Sequence, residues 1–391
     1  MPQPLSHGLK FEHKRDSVAR QDFVVGLRKY VLNDLSKAMR RRFDDEVAPA
    51  FERANGRPFE TAEEIHRAML GNTTFQVYSV TRYNAQEMSW RSILPEVATN
   101  LASVKAKAAE LAKAPIGSLT LDPDLPLPRN VTELDVHLMP GGYESRDDLL
   151  AGAIYDNGLT VFTAGFLGDE MDDTAQSMAH YVLEKFPDFA PKTIVDAGCT
   201  IGHNSLPWKQ CYPDAEVQAI DVAAASVRYG HARAESMGVP IHFHQMNATD
   251  MKFADNSMDL VVSAQFLHEI SLKDTRKYLA EAYRVLKPGG LLLTMELAPS
   301  RYQQIYDRFY LDWDSYYNRE PFYRAFRQAD AVELALPAGF KRENYFEYTV
   351  PQYFKTSPEE FSAAVAEDFS MEGYSGQLND KHRYFGFGWW K

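Results

Sequence analysis

The chain has 391 residues, 45% of them hydrophobic and 25% charged, enough for two or three domains with ordinary globular cores. Its formal net charge of −12 argues against nucleic acid as a default partner, and the run Arg40-Arg41-Arg42 is answered at once by Asp44, Asp45 and Glu46, the pattern of a solvated helix face. Two cysteines, Cys199 and Cys211, make neither a disulfide framework nor a metal set; with no secretory h-region and no apolar run near the ~20 residues of a membrane span, the chain reads as cytoplasmic.

From Asp22 to Phe51 the apolar residues Phe23, Leu27, Tyr30, Val31 and Leu35 recur at spacings of three and four, which predicts a helix. Thr61 and Glu64 form a capping box that opens a second helix carrying Ile65, Ala68 and Met69. A third helix is expected from about Glu87 to Ala114, stopped by Pro115. Prolines 115, 123, 126 and 128 then mark a linker or extended crossing segment. Residues 1–130 therefore read as a mainly helical N-terminal domain with its linker. Residues 131–190 read as a connecting segment or lid, rich in glycine and aromatics, with a helix from about Asp173 to Phe186.

From residue 191 to 391 the pattern alternates. TIVDAG, VQAIDV, IHFHQM, MDLVVSAQF and GGLLLTMEL are strand candidates, with helical stretches near 203–212, 223–236, 273–287 and 301–330. FKRENYFEYTV and RYFGFGWWK read as two further strands. Alternating strands and helices predict an α/β fold, a mostly parallel sheet with helices on both faces.

Ligands of such sheets bind beyond the carboxyl ends of the strands, at the switch point. The first strand runs into VDAGCTIGHNS, residues 195–205, where Gly198 and Gly202 sit without dinucleotide-binding spacing. Asp221 closes the second strand, where an acid can accept hydrogen bonds from both hydroxyls of a ribose. Asn247 and Ala248 end the third strand and can face a base edge. Gln265 and the pair His268-Glu269 end the fourth, and Lys287-Pro288-Gly289-Gly290 leads into the fifth.

Taken together, VDAGCTIG, AIDV, NATDMKFADNSMDLVVSAQFLHEI and YRVLKPGGLLLTMEL resemble the class I S-adenosylmethionine-dependent methyltransferases, in the group that includes the ubiquinone/menaquinone C-methyltransferases. The resemblance covers roughly residues 190–300. It implies a Rossmann-like seven-stranded sheet with one antiparallel strand, and an aromatic insertion near 351–383. It implies S-adenosyl-L-methionine as cofactor and S-adenosyl-L-homocysteine as product. Asp196 would orient the loop and meet the methionine amino group. Gly198 would admit backbone to the ligand, and Gly202 would let the following helix pack close. Asp221, with Val222 beside it, would take the ribose. Asn247 and Ala248 would meet adenine, and Gln265 would line the methionine region. Thr200 departs from the usual glycine of this loop.

For the chemistry, His268 is the candidate base, with Glu269 to orient it or share a proton; a direct pair of such neighbours needs a turn, because adjacent strand residues face opposite ways. Tyr143, Tyr155, Phe162 and the aromatic run 306–326 are either core or a lid flanking the acceptor, and Tyr155 and Asp156 are the preferred lid residues. Asp312, Asp314 and Glu320 are either solvated acids or ligands of a polar acceptor. His137, His242 and His244 make no metal set. The expected function is methyl transfer to oxygen or carbon of an aromatic or polyketide-like small molecule. Transfer to a thiol or thioether is the rival, and a non-catalytic cofactor-binding regulatory or assembly subunit is the alternative of another class. A nicotinamide dehydrogenase is disfavoured by the absent glycine fingerprint. The N-terminal domain is a candidate for covering the site or for a homodimer interface.

Overall fold

The computed structural model describes residues 6–143, 149–372 and 383–391. Eight strands form one sheet: β1 Ser118–Thr120, β2 Thr193–Ala197, β3 Glu216–Asp221, β4 His242–Gln245, β5 Met258–Ala264, β6 Leu286–Glu296, β7 Tyr345–Pro351 and β8 Arg383–Trp390. Their order is β1-β4-β3-β2-β5-β6-β8-β7. All neighbours are parallel except β8, which runs antiparallel to both β6 and β7. Seven of these strands are those expected. The eighth, β1, comes from the proline-rich segment read as a linker: Ser118, Leu119 and Thr120 pair with His242, Phe243 and His244 and cover the edge of β4.

The central strands read as apolar runs because both faces are buried. Ile194, Val217, Ala219, Leu260, Val262, Leu291 and Leu293 point to one face, where Met178, Tyr181, Trp208 and Phe361 pack on them. The alternate residues Val195, Ala197, Ile220, Val261 and Leu292 point to the other, against Tyr278, Leu279, Val285 and Leu334. The chain leaves β2 toward β3 and β4, then crosses back to β5 on the other side of β2. The crevice of the switch point therefore opens above β2 and its neighbours.

The N-terminal part is helical, as expected. Helices Arg15–Lys29, Ser36–Arg42 and Ala48–Asn55 are joined by π-helical turns into one run, and the Thr61–Glu64 capping box opens Ala62–Met69. The next helix is longer than the sequence suggested: it spans Thr73–Leu111 and tolerates Pro95 inside it. Asn72 starts it by accepting from the Thr74 and Phe75 N–H groups at 2.9 and 3.2 Å. Phe75, Tyr78, Arg82, Ala85 and Gln86 form its buried stripe there, a helical pattern hidden among β-branched neighbours.

These helices share their cores with the rest of the chain. Trp90, Ile93 and Val97 pack with Ile154, Leu159 and Val161 of helix Leu150–Phe162. Val31, Met39, Phe75 and Tyr78 pack with Tyr306, Phe309, Tyr310, Trp313 and Tyr323. The aromatic run 306–326 is thus the socket for the N-terminal helices, with Tyr78 and Tyr310 hydroxyls bonded at 2.7 Å; of the two readings of this run, core is the one the packing favours. Residues 144–148 of the expected lid, and 373–382 of the expected insertion, lie outside the described residues. Among the described residues no helix is long and apolar enough to cross a membrane.

Candidate active site

A cavity of about 430 Å³ lies beyond the carboxyl ends of β2, β3, β4 and β5. Gly198, Thr200, Asp221, Val222, Asn247, Ala248, Gln265, Tyr155, His268 and Glu269 all line it. Residues proposed from five separate stretches of sequence are thereby brought to one wall.

The loop after β2 is held by the second strand. The N–H groups of Gly198 and Cys199 donate to the Ile220 carbonyl at 2.9 and 3.1 Å. The Thr200 N–H donates to Asp221 Oδ2 at 3.0 Å, and the Ala223 N–H to Oδ1 at 2.9 Å. Gly198 has φ +76°, and a Cβ there would overlap the Phe266 ring, so both the backbone conformation and the packing of that ring call for glycine. Thr200 has φ +48°, the left-handed conformation that explains why glycine is usual at its position. Its side chain bonds the Tyr155 hydroxyl, which burial keeps protonated well above its ordinary range. Burial raises Asp221 above the ordinary carboxylate range, opposed by the Ala223, Thr200 and Val222 N–H groups.

Asp196 and Gly202 stand outside the cavity wall. Asp196 is buried behind the loop and accepts from Ser205 Oγ at 2.6 Å; burial pushes it up to about 7, with Ser205 opposing and Asp221 adding. Its hydrogen bond ties the loop through Ser205, and Asp196 does not itself line the cavity. Gly202, at φ +71°, passes under Phe243. Asn247 Oδ1 accepts from the Thr249 N–H and hydroxyl, both at 2.9 Å. Gln265 is held at φ +56°, and its Nε2 is buried without a hydrogen-bond partner among the described residues.

His137, His268 and Glu269 also line the cavity, and Glu296 and Glu320 stand behind them as partners of the two histidines. His268 Nδ1 meets Glu296 Oε2 at 2.6 Å, while its Nε2 lies 4.0 Å from Glu269 Oε1, too far for a hydrogen bond. Glu296 Oε1 also accepts the N–H groups of Phe266 and Leu267 at 2.9 and 2.6 Å, which fixes the turn after β5. Burial disfavours the His268 cation, but Glu296, with Glu269 and Glu320, more than offsets it and pushes the ring up to about 9. That direction favours a protonated, hydrogen-donating ring at His268 over the free base that the sequence suggested.

His137 Nε2 meets Glu269 Oε1 at 2.9 Å, and its Nδ1 meets Glu320 Oε1 at 3.0 Å. Burial is again outweighed by the two carboxylates, and the ring is pushed up to about 10. Glu269 is raised by burial and lowered more by His137, His268 and Tyr143, ending below its ordinary range.

Other readings are also corrected. Asp156 is fully buried away from the cavity, accepting from the Tyr229 hydroxyl at 2.6 Å and pairing with His7 and Lys10 at 3.1 and 3.2 Å. One helical step from Tyr155, about 100°, turns it away from the cavity. Glu320, Asp314 and Asp312 are not solvated acids: they pair with His137, Arg82 and Arg327. His242 bonds Ser118 at 2.8 Å and His244 bonds Gln218 at 2.6 Å. Among the described residues no group of three His, Cys, Asp or Glu side chains is placed to hold a metal ion.

Sequence reasoning missed Glu296, His137 and the wall formed by Pro126, Leu127, Pro128, Asn130 and Val131. Glu296 carried a signal, as the acid closing the fifth parallel strand; the others are joined to the site only by long-range contacts.

This is the ligand crevice of a nucleoside-binding α/β sheet. Residues 194–290 match the methyltransferase domain family. The chain carries a class I S-adenosylmethionine-dependent methyltransferase domain. It is similar to the demethylmenaquinone methyltransferase of Thermus thermophilus, with 34% identity over 110 residues, 28% of this chain and 49% of that protein. It is similar to the ubiquinone/menaquinone biosynthesis C-methyltransferase of Brucella canis, with 30% identity over 154 residues, 34% of this chain and 56% of that protein. The chain spans about half the length of these curated relatives. Among solved structures, a Nostoc punctiforme chain provisionally named an O-methyltransferase matches with TM-score 0.46 and 12% identity over 96% of both chains. A Haemonchus contortus phosphoethanolamine N-methyltransferase 2, bound to phosphomonomethylethanolamine and S-adenosylhomocysteine, matches with TM-score 0.41 and 17% identity over 57% of this chain and 55% of that one.

Proposed function

We propose that this protein transfers a methyl group from S-adenosylmethionine to oxygen or carbon of a small aromatic or polyketide-like acceptor. The observation that carries this reading is that one cavity is lined both by Asp221, Gly198 and Thr200 and by His268, Glu269, Tyr143 and Phe162. The residues present fit the cofactor. A carboxylate at a strand end accepts from ribose hydroxyls, a side-chain-free Gly198 admits the ligand, and the orphaned Gln265 amide supplies a donor to its amino-acid end. When bound, S-adenosylmethionine supplies an electrophilic sulfonium methyl group.

The chain's own residues would hold and orient the reactants and exclude water. Asp221 fixes the ribose end, Asn247 and Ala248 the base, and Tyr155 keeps its hydroxyl on Thr200. The acceptor lies against Tyr143, Phe162 and the proline wall, beside His268 and Glu269. The names of the curated relatives, which refer to quinone methylation, support an aromatic acceptor. A thiol acceptor needs little help with its proton, and the charged groups of this wall suit an acceptor that carries a hydroxyl better than a thiol.

The test is calorimetric titration with S-adenosylmethionine, S-adenosylhomocysteine and NADH. The two adenosyl ligands should bind and NADH should not. Asp221→Ala should weaken both by at least about tenfold, the value of one charge-assisted hydrogen bond, with the fold intact. Unchanged affinity would refute the ribose assignment.

A further inference from the structure

Among the described residues, two atoms on the acceptor wall have no hydrogen-bond partner. Glu269 Oε1 is taken by His137 Nε2 at 2.9 Å and by the Tyr143 hydroxyl at 3.3 Å, and the Glu269 carbonyl by Asn130 Nδ2 at 3.1 Å. No hydrogen bond among the described residues reaches its Oε2. His268 commits Nδ1 to Glu296 and keeps Nε2 4.0 Å from Glu269 Oε1, outside hydrogen-bond range. Both residues line the cavity. A charged N–H donor and a carboxylate acceptor therefore stand side by side at the acceptor end, each with one site left over.

A hydroxyl satisfies both at once, because it accepts through a lone pair and donates its hydrogen. A thiol does each weakly, and a carbon nucleophile does neither. The surrounding Tyr143, Tyr155, Phe162 and Pro128 surfaces suit a flat ring.

The geometry of Glu269 is imposed from a distance. His137 sits at φ +56°, off the usual backbone regions for a bulky residue. Its N–H donates to the Asn318 carbonyl at 2.8 Å, and its carbonyl accepts from Gln86 Nε2 at 3.0 Å and Trp90 Nε1 at 2.9 Å. With Glu320 on its other ring nitrogen at 3.0 Å, His137 is locked by the long N-terminal helix and by the segment after helix Ile305–Tyr317. The N-terminal helices thereby reach the chemistry without touching the ligand.

Resting on the proposed methyl transfer, we propose that His268 Nε2–H and Glu269 Oε2 clasp a ring hydroxyl of the acceptor, a phenol or enol, as its specificity-determining pair, and that His137 is the residue that positions Glu269.

The experiment uses the full chain saturated with S-adenosylhomocysteine and compares binding of phenol and benzene, which differ in the hydroxyl alone and neither of which titrates between pH 5 and pH 7. Wild type should prefer phenol by at least tenfold. Glu269→Gln and His268→Gln should each collapse that preference while S-adenosylhomocysteine affinity stays within about twofold. His137→Asn keeps a residue that tolerates the left-handed backbone and removes the imidazolium. Among the described residues, the charged and titratable groups around Glu269 are His137, His268, Tyr143, Tyr155, Asp221 and Glu320. Without His137, burial should raise Glu269, so the preference in His137→Asn should fall between pH 7 and pH 5, where wild type stays flat. A merely structural role would not move that profile. S-adenosylhomocysteine binding without a hydroxyl preference, or a preference untouched in Glu269→Gln, overturns the clasp alone. A flat profile in His137→Asn overturns the positioning role. A protein that binds no S-adenosylhomocysteine overturns the cofactor reading and the clasp with it.

Discussion

Replacing Glu296 by Gln isolates the charge that holds the His268 proton. The amide oxygen can still accept the Phe266 and Leu267 N–H groups, so the turn keeps its two backbone anchors. What changes is the partner of His268 Nδ1, which becomes an N–H donor and forces the ring into the neutral tautomer protonated on Nε2. His268 is buried and stands at about 9 against an ordinary 6.5. That difference corresponds to about 3 kcal/mol of preference for the imidazolium. Because the folded value is raised, this stabilisation is fully present below pH 6.5 and is lost as pH climbs through about 9. In Glu296→Gln burial is opposed only by the more distant Glu269 and Glu320, and the ring should titrate at or below its ordinary value. The assay is carbon-edited NMR of histidine-labelled protein across pH 5 to 10, paired with urea unfolding at pH 6, 7.5 and 9. Wild type should lose stability from this site between neutral and alkaline pH, and the variant should lack that loss and be less stable at pH 6. A His268 resonance titrating at the same pH in both proteins would refute the reasoning.

Two substitutions test the frame around the site. Asp156→Asn leaves Lys10 and Arg233 beside a neutral group in a buried cluster, and should cost about 3–5 kcal/mol in urea unfolding; a change under about 1 kcal/mol would show that the cluster is not coupled. Gly198→Ala places a Cβ into the Phe266 ring at φ +76°, and the overpacking and left-handed costs together suggest about 2–4 kcal/mol, read as a lowered melting temperature with weakened S-adenosylhomocysteine binding. Unchanged values of both would mean that the loop is not the close approach described above.

Much of the frame was legible because its signals are local. Strands buried on both faces must be apolar runs, and seven of them were visible in order. The Thr61–Glu64 box is a four-residue pattern and appeared as written. Strand ends are also local, so Asp221, Asn247, Ala248, Gln265 and Glu269 could be nominated from position alone and do share a wall. The start of the Thr73–Leu111 helix was missed because β-branched residues obscure its stripe, and tertiary burial overrides their weak helix propensity. β1 was missed because three residues amid prolines carry no strand signal until β4 offers them an edge.

The sequence by itself determined the sheet, the crevice and the acid at its second strand end, since each depends on periodicity or on a residue's place along one element. The ionisation of the site was decided by tertiary structure alone. His268 owes its proton to Glu296, 28 residues away, and His137 reaches Glu269 and Glu320 from a segment read as a connection. Charges fall off with distance in space and not along the chain, so the same histidine reads as a base in the sequence and as a cation in the fold.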